Sequence, residues 1–160
     1  MRLIAWTLTL SLLVGCGWHL RGVTPLPDGY RVLYIQGGGN DIRQALRQQL
    51  EFNGAIITAS AADAPVQLII EEYDVEKRTL SVNTSGQVAE YELNALLSAS
   101  VVRQFDDEKQ SFEVNARRTL SNDVNNVVAT QQEETQTRED LKTDLITRLI
   151  RRLQSLEQAK

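Results

Sequence analysis

The sequence predicts an α+β domain, a four-stranded mixed sheet in β-α-β-β-β-α order with two helices packed on one face. Three observations predict it. Apolar residues hold every odd position from Ala89 to Val101, with Glu90, Glu92, Asn94, Ser98 and Ser100 opposite. Leu141, Leu145, Leu149 and Leu153 recur four residues apart. A glycine triplet at 37–39 separates an aromatic and β-branched run from a segment of helical period. Period two is the pattern of a half-buried strand, and a spacing of three to four is the stripe of an amphipathic helix.

The chain opens with a targeting segment. Residues 1–15 have a basic start at Arg2, an apolar run over 3–14 and the small Gly15 before Cys16, the parts of a secretory signal peptide. The run is too short for a bilayer, which needs about 20 apolar residues. Leu13-Val14-Gly15-Cys16 matches the lipobox of bacterial lipoproteins, in which the thiol is the nucleophile that takes a diacylglyceryl group. The competing reading is a buried free thiol. Against it, this is the only cysteine of the chain and it stands where a lipobox places it. The expected covalent groups are S-diacylglycerol and N-palmitoyl on Cys16, with no other cofactor. Two or more acyl chains anchor a protein stably. Gly17 is not the Asp that retains enteric lipoproteins in the inner membrane, which favours the outer membrane facing the periplasm.

Residues 16–29, with Pro25, Pro27 and the pair Asp28-Gly29, read as a lipidated tether of about fourteen residues, each spanning at most about 3.3–3.6 Å. A single domain is expected over residues 30–160. The first strand is predicted at 30–36, and Asn40 is a suitable N-cap for a helix carrying Ile42, Leu46 and Leu50. Gly54 suits the left-handed residue after its last turn. A second strand starts at Pro65, with Val66, Leu68 and Ile70 on one parity and Tyr73 and Val75 on the other. That switch predicts a β-bulge or twist near Ile70. The turn at 83–86 leads into the third strand at 87–101, and the fourth is expected at 111–120. The last element is a long amphipathic helix ending near Gln158, with Arg148, Arg151 and Arg152 facing away from its apolar stripe or flanking it. If the first strand runs upward, the glycine loop, the 83–86 turn and the start of the last helix gather at one end. The lipid anchor lies at the other.

Composition excludes several functions. The only His, His19, lies in the tether and the only Cys is consumed by lipidation, so Ser-His-Asp, Cys-His and His-based metal sites are excluded. Glu71 and Glu72 are a carboxylate pair, but neighbours on a strand point to opposite faces. The chain is therefore read as non-enzymatic. A net charge of −4 without a basic, aromatic-interleaved stripe argues against nucleic acid. The glycine loop lacks the P-loop and dinucleotide spacings, so it reads as a turn rather than a phosphate cradle. Lys77-Arg78 and Arg117-Arg118 have two readings, phosphate contacts or solvated pairing with nearby carboxylates.

Cys16-Gly17-Trp18-His19-Leu20-Arg21 resembles the start of the mature LptE family of lipopolysaccharide-assembly lipoproteins. Gly86-Gln87-Val88-Ala89-Glu90-Tyr91 resembles the family's Gly-Gln-x-Ala-Glu-Tyr, and Ile150-Arg-Arg-Leu153 its Ile-Arg-Lys-Leu. The resemblance implies a lipid-anchored outer-membrane protein, its domain on the periplasmic side or within a barrel lumen. It implies a plug in a large β-barrel, LptD, and joint insertion of lipopolysaccharide into the outer leaflet. It also implies contact with lipopolysaccharide, but Thr84 and Thr130 stand where enteric members carry cations. Lys77, Arg78, Arg117 and Arg118 are the candidate lipopolysaccharide-binding residues in their place. The alternative is a stand-alone periplasmic-facing lipoprotein that binds an anionic lipid or glycolipid.

Overall fold

A computed structural model describes residues 26–105 and 109–156. The segment expected to be a signal peptide (1–15), the expected lipidation site Cys16 and most of the expected tether lie outside the described residues. The elements are β1 (Val32–Gly37), α1 (Asn40–Phe52), β2 (Ile56–Ile57), β3 (Val66–Val82), β4 (Val88–Arg103), β5 (Lys109–Ser121) and α2 (Val127–Ser155). They form one mixed sheet of order β2-β1-β3-β4-β5. β1 lies parallel to β2 and β3, and the pairs β3-β4 and β4-β5 are antiparallel.

The expected α+β architecture holds, with five strands in place of four. The addition is β2, whose two residues pair with Val32 and Leu33. Two residues are too few to show an alternating pattern, so nothing in the sequence separates them from the loop after Gly54. The first helix also starts one residue earlier than expected. Gly39 is its N-cap and Asn40 its first residue.

The predicted parity switch is a bulge. Ile70 faces Ala99 while Glu72 faces Ser98, so Glu71 is an extra residue on β3. Its carboxylate accepts a hydrogen bond from the Ser100 hydroxyl at 2.9 Å and pairs with Lys109 at 2.8 Å. The bulge keeps Val66, Leu68 and Ile70, then Tyr73 and Val75, on the side that faces the helices. It also turns both Glu71 and Glu72 to the other, open face, correcting the expectation that these neighbours point apart.

The helix side forms one core. Leu33 and Ile35 of β1, Leu68 and Ile70 of β3, and Leu93, Leu97 and Val101 of β4 meet Ile42, Leu46 and Leu50 of α1 and Leu141, Leu145, Leu149 and Leu153 of α2. Each such Leu contributes roughly 1.5–3 kcal/mol by leaving water. Leu26 is also buried, and its N–H donates to the Asn53 carbonyl.

The elements do not end at a common height. β1 stops opposite Ile70, yet β3 runs on to Val82. At about 3.3 Å per residue the β3-β4 hairpin rises on the order of 40 Å above the glycine loop. The glycine loop therefore lies beside the lower third of the sheet, not with the 83–86 turn at the tip. Buried positions of α2 begin at Leu141 for the same reason, since α1 covers only the lower half.

Gly37 marks the point where β1 must leave the sheet. Its φ is +77°, and a Cβ there would stand 2.2 Å from the Ile70 carbonyl oxygen. Gly86 has the same φ but open space around it. A left-handed non-glycine residue costs about 1–2 kcal/mol. Gly86→Ala should therefore lower unfolding free energy by about that amount, and Gly37→Ala by clearly more. Urea denaturation of the two variants checks this, and equal losses would show that the Ile70 approach carries no weight.

Candidate functional site

The alternation of strand residues splits the four candidate cations between two faces. Lys77 and Arg118 flank the buried Leu93 in register and so lie on the helix side. Arg78 faces Glu92 and Arg117 faces Asn94, which puts both on the open side.

The helix-side pair is tied to α2. Lys77 is ion-paired with Glu134, and its ammonium lies 4.0 Å from the centre of the Tyr91 ring, a cation-π distance. Arg138 holds the same Glu134 carboxylate at 2.8 Å and donates to the Val75 carbonyl at 3.1 Å. Arg118 reaches Asp144 at 3.5 Å and donates to the Arg117 carbonyl at 3.0 Å. Lys77 is thus a fastener between β3 and α2.

Arg78, Arg117 and Arg118 line one cleft of about 660 Å³, together with Asp74, Glu76, Asn94, Asn115 and Arg148. It opens between the charged half of the open face and the free edge of β5. Arg78 is ion-paired with Glu76, which lowers the Glu76 pKa through that hydrogen bond. Among the described residues no partner is found for the exposed Arg117 side chain.

Arg148 is the member that sequence reasoning missed. It lies one helical turn after Asp144 and grips that carboxylate with Nε and Nη2, both at 3.0 Å. Its Nη1 crosses to the Asn115 carbonyl on β5, also at 3.0 Å. The Asp144-Arg148 spacing was visible, but the reach to β5 depends on how α2 lies across the sheet. A second cleft of about 540 Å³ continues past Asn115 and Arg148 and is lined by Glu113, Arg151, Arg152 and Ser155.

The arrangement suits the binding of anions. Arginine offers a planar fork that matches phosphate and carboxylate oxygens. Among the described residues no cluster of His, Cys, Asp or Glu could hold a metal, and no helix is long and apolar enough to cross a membrane. Thr84 lies exposed in the hairpin turn. The Thr130 hydroxyl accepts from the Asp123 N–H at 3.2 Å and donates to the Asn126 carbonyl at 3.3 Å, so it secures the start of α2.

The sequence model of the LptE family, described as lipopolysaccharide-assembly, matches residues 28–153. An LPS-assembly lipoprotein LptE of Photorhabdus laumondii is 35% identical over 106 residues, which cover 63% of this chain and 58% of that protein. Its counterpart in Pectobacterium atrosepticum is 27% identical over 158 residues, covering 95% of this chain and 85% of that protein. Among solved structures, a lipoprotein B from Nitrosomonas europaea superposes with a TM-score of 0.76 at 26% identity, covering 90% of this chain and 94% of that chain. The rare lipoprotein B from Shewanella oneidensis shares the fold, with a TM-score of 0.70 at 24% identity, covering 79% of this chain and 96% of that chain.

The carboxylates that hold α2 to the sheet make stability pH-dependent. The hydrogen bond from Lys77 lowers the Glu134 pKa, and the one from Arg148 lowers that of Asp144. A lowered folded pKa contributes stability that is fully present above the unfolded carboxylate value of about 4 and is lost as pH falls through the folded value. Thermal melts between neutral pH and about pH 3 should therefore fall less steeply for Glu134→Gln and Asp144→Asn than for the wild type. Parallel slopes would contradict the assignment.

Proposed function

The chain belongs to the LptE lipopolysaccharide-assembly family, and from that premise we propose that it is a non-catalytic outer-membrane lipoprotein that plugs an LptD-type β-barrel, assists its assembly and helps deliver lipopolysaccharide to the outer leaflet. The observation that carries this reading is the open sheet face. Glu72, Asp74, Glu76 and Arg78 of β3, Glu90, Glu92, Asn94 and Ser98 of β4, and Glu113, Asn115 and Arg117 of β5 share it by register. So much charge and amide on one side is unsuited to hydrocarbon, where each unsatisfied polar group costs several kcal/mol. It suits the water-filled lumen of a barrel.

The anchor fits the same role. With diacylglycerol and palmitate on Cys16, the roughly ten residues from Cys16 to Leu26 extend at most about 3.3–3.6 Å each. They hold the domain within a short radius of its membrane, as a restraint that keeps a subunit beside its barrel.

For lipopolysaccharide contact, Arg78, Arg117 and Arg118 are retained as candidates because they line one cleft. Lys77 contributes through α2 rather than through a free ammonium. The one His and the one Cys of the chain stand at positions 19 and 16, and among the described residues there is neither. No His- or Cys-based acid-base or nucleophilic pair therefore accompanies these cations there, which supports a binding role over catalysis.

The proposal is tested by affinity capture of the full lipoprotein from detergent-solubilised outer membranes of its host. A large β-barrel should co-purify in stoichiometric amount. A lipoprotein recovered alone, with glycolipid but without a barrel, would replace the plug with a stand-alone carrier.

A further inference from the structure

We infer that the free edge of β5 is a recognition site for an anion bearing two phosphate groups, such as the headgroup of a diphosphorylated disaccharide glycolipid. The inference rests on the reading that the chain handles lipopolysaccharide, and it adds where and through which groups. The two clefts are not separate features, since both are lined by Asn115 and Arg148. Arg148 is the wall between them. Three of its N–H groups are engaged by Asp144 and Asn115, and a guanidinium has five. It is held rigid with donors to spare.

Unpaired charge lies on either side of that wall. Arg117 lines the first cleft and Arg152 the second, and among the described residues neither side chain has an ion pair. Arg151 adds its positive field beside Asp144. Arg78, Arg117, Arg118, Arg148, Arg151 and Arg152 thus line the two clefts against the carboxylates of Asp74, Glu76 and Glu113, with Glu76 held by Arg78 and the adjoining Asp144 by Arg148. Arg148 and Arg152 are four residues apart on α2, about 6 Å along the axis. A ligand that meets both clefts must therefore extend beyond one phosphate. Two anionic groups on a short polar frame fit, each met by a guanidinium fork.

The same geometry disfavours other occupants. A free sheet edge invites an added strand, but the carbonyls of Asn115 and Arg117 already accept from Arg148 and Arg118. Nucleic acid would need a wider basic surface, whereas carboxylates cover the open face on β3 and β4 and the chain carries a net charge of −4.

The test is calorimetric titration of the full lipoprotein in neutral detergent with three probes. These are a diphosphorylated disaccharide glycolipid, its monophosphorylated form and inorganic phosphate. Arg117→Gln and the double variant R151Q/R152Q are compared with wild type, and circular dichroism checks that they fold. The wild type should bind the diphosphorylated probe about tenfold more tightly than the monophosphorylated one, and inorganic phosphate far more weakly. Each variant should lose that preference. Wild-type-like binding by both variants would overturn this site while leaving glycolipid binding by the protein intact. Equal affinity for the two glycolipids would overturn the two-phosphate assignment, and equal affinity for inorganic phosphate would reduce it to a simple anion site. No binding of either glycolipid by the wild type would overturn direct lipopolysaccharide contact altogether.

Discussion

Everything above the glycine loop in this domain depends on one extra residue in β3. Glu71 shifts the pairing so that Ile70 faces Ala99 and Glu72 faces Ser98. In a strand of period two, a slip of one residue exchanges the two faces. Without the shift, Glu72, Asp74 and Glu76 would point into the helix layer and Tyr73 and Val75 out of it. The bulge is held by its own side chain. Lys109 and the buried Ser100 hydroxyl both bind the Glu71 carboxylate and lower its pKa. A polar contact on the open face thus secures the apolar register on the other.

The distribution of cations follows from that register. Because β3 resumes its alternation after Glu71, Lys77 lies under α2 and Arg78 lies in the open cleft. Because β5 pairs in register with β4, Arg118 joins Lys77 and Arg117 joins Arg78. The upper half of α2 has no α1 beside it, and Lys77, Arg138 and Arg118 tie it to the sheet through Glu134, Val75 and Asp144. Where α1 begins, the buried Lys142 bridges Glu139 and Asp41 and so links the two helices. Arg148 closes the arrangement at the edge strand, where it caps a carbonyl and separates two clefts.

Much of this was legible in the sequence, for local reasons. The alternation from Ala89 to Val101 and the four-apart leucines of α2 report burial directly, and the parity switch between Ile70 and Tyr73 announced the bulge. What the sequence hid were matters of length and approach. β2 is too short to have a period. The first half of α2, from Val127 to Asp140, has no apolar stripe because no second helix covers it, so only Leu141 onward declared a helix. The pairing of Glu71 with Glu72 on one face could not be seen until the bulge was placed between them. The division of Lys77 from Arg78 could be counted from alternation, but Arg148 reaching Asn115 requires the angle of α2 across the sheet.

The register at Glu71 is the claim on which both faces rest, and solution NMR of the lipoprotein measures it most directly. Backbone contacts across β3 and β4 should link Ile70 with Ala99 and Glu72 with Ser98, leaving Glu71 without an opposite residue. An unbroken ladder with Glu71 opposite Ser98 would contradict the account, because it would turn Arg78 toward α2 and Lys77 into the open cleft.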